Sequence, residues 1–293
     1  MHGVLLIDKP KGMSSHRVVS ILRKKLATKK IGHAGTLDPE ATGVLVCCVG
    51  KATKISQYLM GEDKVYQTKV VLGATSTTYD HVGEITQTNA DIPSSAEIQQ
   101  VLVSFEGVIE QKPPLYSAIK KAGKKLYQYA RAGIDVEIPS RKIHIQKITL
   151  LPNPNQPDIL HLQVHCQKGT YIRSLAHDIG QVLGCGGYAQ DIRRLQSGQY
   201  HIDNCIPMDA LEAMSLQDVQ GKMLTLIQAL QASFVSIAID QAQALHIRQG
   251  KPMDKLYIQP ANNAMVLLHT DTQEAVAITR CDESGQYALL RVI

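Results

Sequence analysis

The sequence has no tryptophan and only 2 phenylalanines, so any aromatic surface must come from its 11 tyrosines. Tyrosine offers a stacking face and a hydroxyl, which suits unstacked nucleobases and equally suits half-buried packing. The 6 cysteines (Cys47, Cys48, Cys166, Cys185, Cys205 and Cys281) include no Cys-x-x-Cys pair. That excludes a zinc ribbon or a thioredoxin-like motif and fits a reducing cytosol better than a disulfide scaffold. His-Glu-x-x-His is absent, and the 11 histidines lack metal-ligand spacing. No apolar run reaches the roughly 20 residues of a membrane span. The opening Met1 to Asp8 is only briefly apolar and lacks the basic start of a secretory signal. Two nucleotide-binding loops also fail. From Gly43 to Thr53 the glycine spacing is wrong for a phosphate loop, and Ala52 follows Lys51 where a hydroxyl belongs. Gly184 to Gly187 ends a helical pattern, whereas a dinucleotide fingerprint opens one.

What is present is a chain of 293 residues, 44% hydrophobic, with 31 basic and 26 acidic side chains and a net charge of +5. A sizeable core is affordable, and the mild positive charge permits a polyanionic partner without demanding one. Val4 to Ile7 and Val44 to Val49 read as buried strands, and Tyr66 to Leu72 as an alternating one. Further strands are expected at Ile143 to Leu151, Ile159 to Cys166 and Ile192 to Leu195. Ser14 or Ser15 caps a helix with Val18, Val19, Leu22 and Leu26 on one side and Arg17, Arg23, Lys24 and Lys25 on the other. Helices are also predicted at 52–59, 97–105, 124–131, 172–183 (capped by Thr170) and 208–230. Strands and helices mix without regular βαβ alternation, so the fold class is α+β: a mixed, mainly antiparallel central sheet with flanking helices. The texture changes near residue 230 to short strands and turns. This predicts a body over 1–230 and a small β-rich domain over 231–293, of about sixty residues and marginal alone.

Residues 32–43, Gly-His-Ala-Gly-Thr-Leu-Asp-Pro-Glu-Ala-Thr-Gly, read as a loop. Pro39 holds Asp38 extended, and the glycines let the backbone turn and a ligand approach. A short carboxylate between a basic helix and a buried strand is well placed to act. It is also ordinary turn chemistry for an Asp before Pro.

The string from Gly32 through Leu45 resembles the catalytic motif of the TruB family, bacterial synthases that make pseudouridine in the T-arm loop of tRNA. Other segments follow in the family's order. They are Gly3 to Ser15; Ala52 to Leu59; Lys64-Val65-Tyr66; Pro113 to Lys120 with Gly123 and Tyr127 to Arg131; Lys168 to Leu175; and Leu183 to Gly187 through Arg193-Arg194-Leu195. Beyond 230 the resemblance narrows to Ile247 to Pro252, which is similar to the start of a PUA RNA-binding domain. One position departs. The family carries an acidic residue where this chain has Thr77, while Asp80 and Gly83 keep the pattern.

The resemblance implies a pseudouridine synthase fold with a PUA-like tail, a catalytic Asp38 and an Arg173 that pairs with it. It also implies that Tyr66 stacks on the base and takes its C5 proton, and that His33 fills the space left by a flipped base. Lys9 and Pro10 would shape the pocket floor, Tyr171 would support the site and Leu195 would line the uracil. Arg17, Arg23, Lys24, Lys25, Lys120 and Lys124 are candidates for phosphate contact, although such runs are usually solvated faces. The expected partner is the tRNA T-arm, met by a cytoplasmic monomer with no guide RNA, membrane, cofactor or metal. A non-catalytic tRNA-folding chaperone would use the same pocket, and Asp38 separates the two, because chaperoning does not need a carboxylate.

Overall fold

Val4 to Ile7 and Val44 to Val49 are apolar at every position because both faces of their strands are covered. Val4, Leu6, Val44, Val46 and Cys48 point into one core, shared with Leu226, Leu230, Leu267 and Ile278. Leu5, Ile7, Leu45, Cys47 and Val49 point into another, beneath Val18, Val19 and Leu22 of the helix Ser15–Lys25. Lys64–Leu72 differs. Thr68, Val70 and Leu72 are buried while Gln67 is exposed, so one face meets the helices Ser95–Ser104 and Ile172–Val182 and the other is open.

This computed structural model describes residues 1–117, 119–121, 123–134, 136–153, 156–253, 258, 261 and 263–293, with the backbone alone for Lys120, Lys125, Tyr127 and Arg131. Ten strands form the main sheet. Its path runs Ile206–Pro207, Gly3–Lys9, Thr42–Val49, Gly187–Ser197, Lys64–Leu72, Ile159–Cys166, Arg141–Leu151 and Gly107–Gln111. Ile31–His33 pairs beside Thr42–Val49, and Tyr200–His201 beside Gly187–Ser197. The first pair on that path and the junction of Thr42–Val49 with Gly187–Ser197 are parallel, and the other pairings are antiparallel. After residue 234 a four-stranded sheet forms from Val235–Ile239, Met265–Thr270, Ala275–Cys281 and Tyr287–Val292, with the helix Gln241–Arg248 against it. The fold is thus α+β, with a central mixed sheet, flanking helices and a β-rich C-terminal part.

Several local expectations need correction. The predicted helix over 208–230 is three short helices, Met208–Ala213, Leu216–Gly221 and Leu226–Leu230. Ser215 with Asp218 and Thr225 with Gln228 form capping boxes that restart the chain twice. Residues 31–33 are a strand, so only the middle of 32–43 is a loop. Residues 50–54 form a 3₁₀ turn before a short helix, Ser56–Met60. Tyr171, not Thr170, is the N-cap of Ile172–Val182, and Thr170 turns its hydroxyl to Gln167 O. The strand expected at 192–195 runs from Gly187 to Ser197 through the middle of the sheet. It starts where Gly180 and Gly187 touch, since a Cβ on Gly180 would lie 2.1 Å from Gly187 N.

At the parallel junction Arg194 stands beside Gly43. Gly43 has φ +103°, and a Cβ there would lie 2.1 Å from Arg194 O. Gly32 has no such crowding and no positive φ. Gly43→Ala is therefore expected to destabilise the protein by at least about 1–3 kcal/mol through backbone strain and displacement of the junction. Gly32→Ala should melt close to wild type, and chemical denaturation of both variants checks the contrast.

Candidate active site

The loop carrying Asp38 is tied down from three sides. Ser15 sits at the first turn of the basic helix, and its hydroxyl donates to Leu37 O at 2.9 Å while accepting from Leu37 N at 2.9 Å. Lys9 is fully buried, and its ammonium donates to Pro10 O, Met13 O and Pro39 O at 2.9, 2.6 and 2.9 Å. Burial pulls the Lys9 pKa down to about 8, against the opposing pull of Glu40 and Asp38. Arg194, only 1% exposed, donates from Nε to Val44 O at 2.7 Å and from Nη2 to Gly35 O at 3.1 Å. Residues Leu37 to Ala41 are thereby pinned by backbone contacts, and the Asp38 side chain stays 42% exposed.

Arg173 reaches that carboxylate from the helix Ile172–Val182. Its Nη2 lies 2.9 Å from Asp38 Oδ2 and its Nη1 3.4 Å from Asp80 Oδ2, with the arginine side chain 5% exposed. Two carbonyls, Thr78 O and Tyr116 O, complete the cradle at 3.1 and 2.9 Å. One guanidinium thus joins two carboxylates from separate segments. Asp80 is fixed in turn by Thr78 Oγ1 at 2.5 Å and Val82 N at 3.1 Å. The preceding residue, Tyr79, has φ +62°, a left-handed conformation held by its stacking on His177 and by Ala189 N bonding to its carbonyl. Thr77 uses its hydroxyl to accept from Glu84 N.

Asp38, Tyr66, Tyr171 and Arg173 line one cleft of about 740 Å³. Tyr66 is half-buried opposite Arg194 in the strand register. Burial pushes its phenol pKa up, and contact with Arg194 opposes that. His33, Lys9, Pro10 and Leu195 lie outside the cleft wall. His33 has a buried Nδ1 without a partner among the described residues, and burial, His16 and Arg194 hold its pKa below the ordinary value. Leu195 occupies a bulge, since Arg194 pairs with Tyr66 and Gln196 with Val65.

None of the phosphate-contact candidates Arg17, Arg23, Lys24, Lys25 and Lys124 lines this cleft. Arg23 donates to Ile31 O and Lys25 to Glu212 O, so both hold the fold. Arg17, Lys24 and Lys124 are exposed, and the side chain of Lys120 lies outside the described residues. The cleft's cations besides Arg173 are Lys64, Arg141, Lys168 and Arg194. Arg193 and Arg194 stood together in the sequence without any sign of which faced inward. Strand alternation separates them: Arg193 makes a two-pronged pair with Asp8 at 3.1 and 2.7 Å, and Arg194 turns to the loop. Ser15 carried a visible capping signal that hid its second use.

The chain was then compared with known proteins. Residues 23–172 match the model of the TruB family pseudouridylate synthase N-terminal domain, and 173–234 match the tRNA pseudouridylate synthase B C-terminal domain. The tRNA pseudouridine synthase B of Solibacter usitatus is 38% identical over 95% of each chain. That of Bacillus cytotoxicus is 44% identical over 85% of this chain and 83% of its own. Among solved structures, a chain in the crystal structure of a Cbf5-Nop10-Gar1 complex superposes with a TM-score of 0.73 at 26% identity, covering 99% of this chain and 84% of that one. With an acid–arginine–acid cradle at the cleft and family models matching on both sides of Ile172, this chain belongs to the TruB family of pseudouridylate synthases.

Proposed function

We propose that this chain isomerises the T-loop uridine of tRNA to pseudouridine, with Asp38 as the catalytic carboxylate. Family membership makes it a pseudouridine synthase, an isomerase acting on tRNA uridine. The observation that carries the role of Asp38 is its pairing: Oδ2 rests on Arg173, while Oδ1 has no partner among the described residues and the side chain stays open to the cleft. A carboxylate held by one oxygen keeps the other for a reacting atom.

The reaction breaks the C1′–N1 bond, turns the freed uracil and joins C5 to C1′. The C5 proton is then lost and N1 gains one. Nothing is oxidised or hydrolysed, so the balance calls for a carboxylate and a proton path and for no redox partner. Asp38 serves either by attacking C1′ or by taking the C2′ proton to give a glycal, and both routes use the free oxygen. Reaching it requires the base to leave its stack, at a cost of a few kcal/mol, and His33, whose Nδ1 has no partner among the described residues, fills the vacancy. Tyr66 stacks on the base and, as a phenolate favoured by its Arg194 contact, takes up the C5 proton and becomes a neutral phenol. Lys9 and Pro10 act from behind, by shaping the loop. Residues 231–293 serve as a PUA-like RNA-binding domain, and the protein works as a cytoplasmic monomer without a guide RNA. The tRNA pseudouridine synthase B of Solibacter usitatus, matched over nearly its whole length, supports the stand-alone reading.

Three substitutions test these roles through tritium release from C5-labelled uridine in an unmodified tRNA transcript. Asp38→Asn should lower turnover by about a hundredfold to ten-thousandfold or more while still binding tRNA; release at the wild-type rate would remove Asp38 from the chemistry. Arg173→Lys keeps the charge but cannot face two carboxylates while donating to two carbonyls from one planar group. Losing one charge-assisted bond of about 1.5–3 kcal/mol should slow single turnover roughly ten- to hundredfold, and near-normal rates would sink the pairing role. Tyr66→Phe should keep the affinity for tRNA and lose most of the product. Normal product formation by that variant would assign the proton to another group.

A further inference from the structure

The cations lining the cleft divide into those the protein uses and those it leaves free. Arg173 and Arg194 are spent on carboxylates and carbonyls, as described above. Lys64 is buried and donates to Met60 O and Glu62 O. Arg141 and Lys168 have no hydrogen-bond or ion-pair partner among the described residues, although both face the same cleft. One guanidinium nitrogen of Arg141, Nη2, is buried and has no partner among the described residues.

Arg141 is held in place without being satisfied. It pairs in register with Gln111 at the end of its strand. Gln111, 1% exposed, bonds the backbone of Tyr171 twice: Nε2 donates to Tyr171 O at 3.0 Å and Oε1 accepts from Tyr171 N at 2.8 Å. This fixes the Tyr171 backbone, and the Arg141 guanidinium lies 5.2 Å from the centroid of the Tyr171 ring. An arginine resting on a ring offers its N–H edge to a ligand in a set direction. The backbone around it is bare. A Cβ on Gly169, with φ +84°, would lie 3.9 Å from Arg141 Nη1, and one on Gly61 would lie 3.3 Å from Tyr58 O and 3.8 Å from Lys168 Nζ. A bulky polyanion can come close to both cations without meeting a side chain at either glycine.

We propose that Arg141 and Lys168 form a phosphate seat in the cleft, gripping one phosphodiester of the RNA strand that carries the target uridine. The planar guanidinium takes two phosphate oxygens and the mobile ammonium neutralises the same group. The seat fixes the strand's register beside Asp38 and reads no base. It rests on the reading of the protein as an RNA isomerase and adds the residues that hold the backbone.

The test uses the full-length protein and a T-arm stem-loop. Arg141→Met keeps the aliphatic stem against Tyr171, and Lys168→Ala changes an exposed side chain, so the second variant cannot fail by misfolding alone. Each should weaken RNA binding about tenfold or more and should reduce the slope of log affinity against log salt by about 0.7–0.9. Kinetically, the loss should fall more on KM than on kcat. A scan with single uncharged methylphosphonates then identifies the partner: one position should weaken wild-type binding and leave the Arg141→Met variant no weaker than before. Unchanged affinity and salt slope in both variants, or equal sensitivity of wild type and variant at every methylphosphonate, would overturn the seat. If the wild type forms pseudouridine while these results fail, this inference alone falls. If the wild type neither binds nor modifies the RNA, the functional reading falls with it.

Discussion

A guanidinium that is 5% exposed has to be compensated on nearly every side, and Arg173 imposes that requirement on the whole active site. Removing such a charge from water costs several kcal/mol unless opposite charge and hydrogen bonds replace its hydration. Two carboxylates and two carbonyls do so here, and they come from three separate segments of the chain, at Asp38, at Thr78 with Asp80, and at Tyr116. The catalytic loop, the segment after Ser76 and the segment leading to Ser117 therefore converge on one helix end. Burial of a single arginine makes the cleft a meeting point of distant sequence.

Convergence alone would leave the loop free to turn its carboxylate away. The backbone contacts from Ser15, Lys9 and Arg194 prevent this by grasping Leu37, Pro39 and Gly35, close to Asp38 on both sides. None touches the carboxylate itself. The loop is thus fixed through its backbone while its side chain stays open, an arrangement that holds a reacting group in place without consuming its hydrogen-bonding capacity. Lys9 carries this furthest. Its three acceptors are all carbonyls, and its pKa of about 8 reflects burial that Glu40 and Asp38 only partly offset.

Those physical signals also explain how much was legible before the fold was known. The strands Gly3–Lys9, Thr42–Val49, Lys64–Leu72 and Ile159–Cys166 could be read because continuous or alternating apolar runs record how many faces are covered. The breaks within 208–230 left capping boxes in the sequence, but apolar periodicity across them concealed the stops. Val235–Ile239 was missed because its pattern is exposed, exposed, half-buried, exposed, buried, and its parallel partner lies across a helix. In the site, Asp38, Arg173 and Tyr66 were named through ordered motifs. The roles of Arg194 and the second role of Ser15 were not, because each depends on which way one side chain turns once strands from different parts of the chain are aligned.

The distribution of positive charge then acquires a physical sense that a net count of +5 does not convey. Cations buried around Asp38 are engaged by protein acceptors and form part of the framework. Those of the basic helix are divided, with Arg23 and Lys25 holding carbonyls and Arg17 and Lys24 in solvent. An RNA backbone gains most from cations already stripped of competing acceptors and already aimed, since neither their hydration nor their conformational freedom must then be surrendered in full on binding. Within the cleft Arg141 meets both conditions, resting on Tyr171 and left without an acceptor among the described residues, so affinity for the strand can be concentrated where the carboxylate waits.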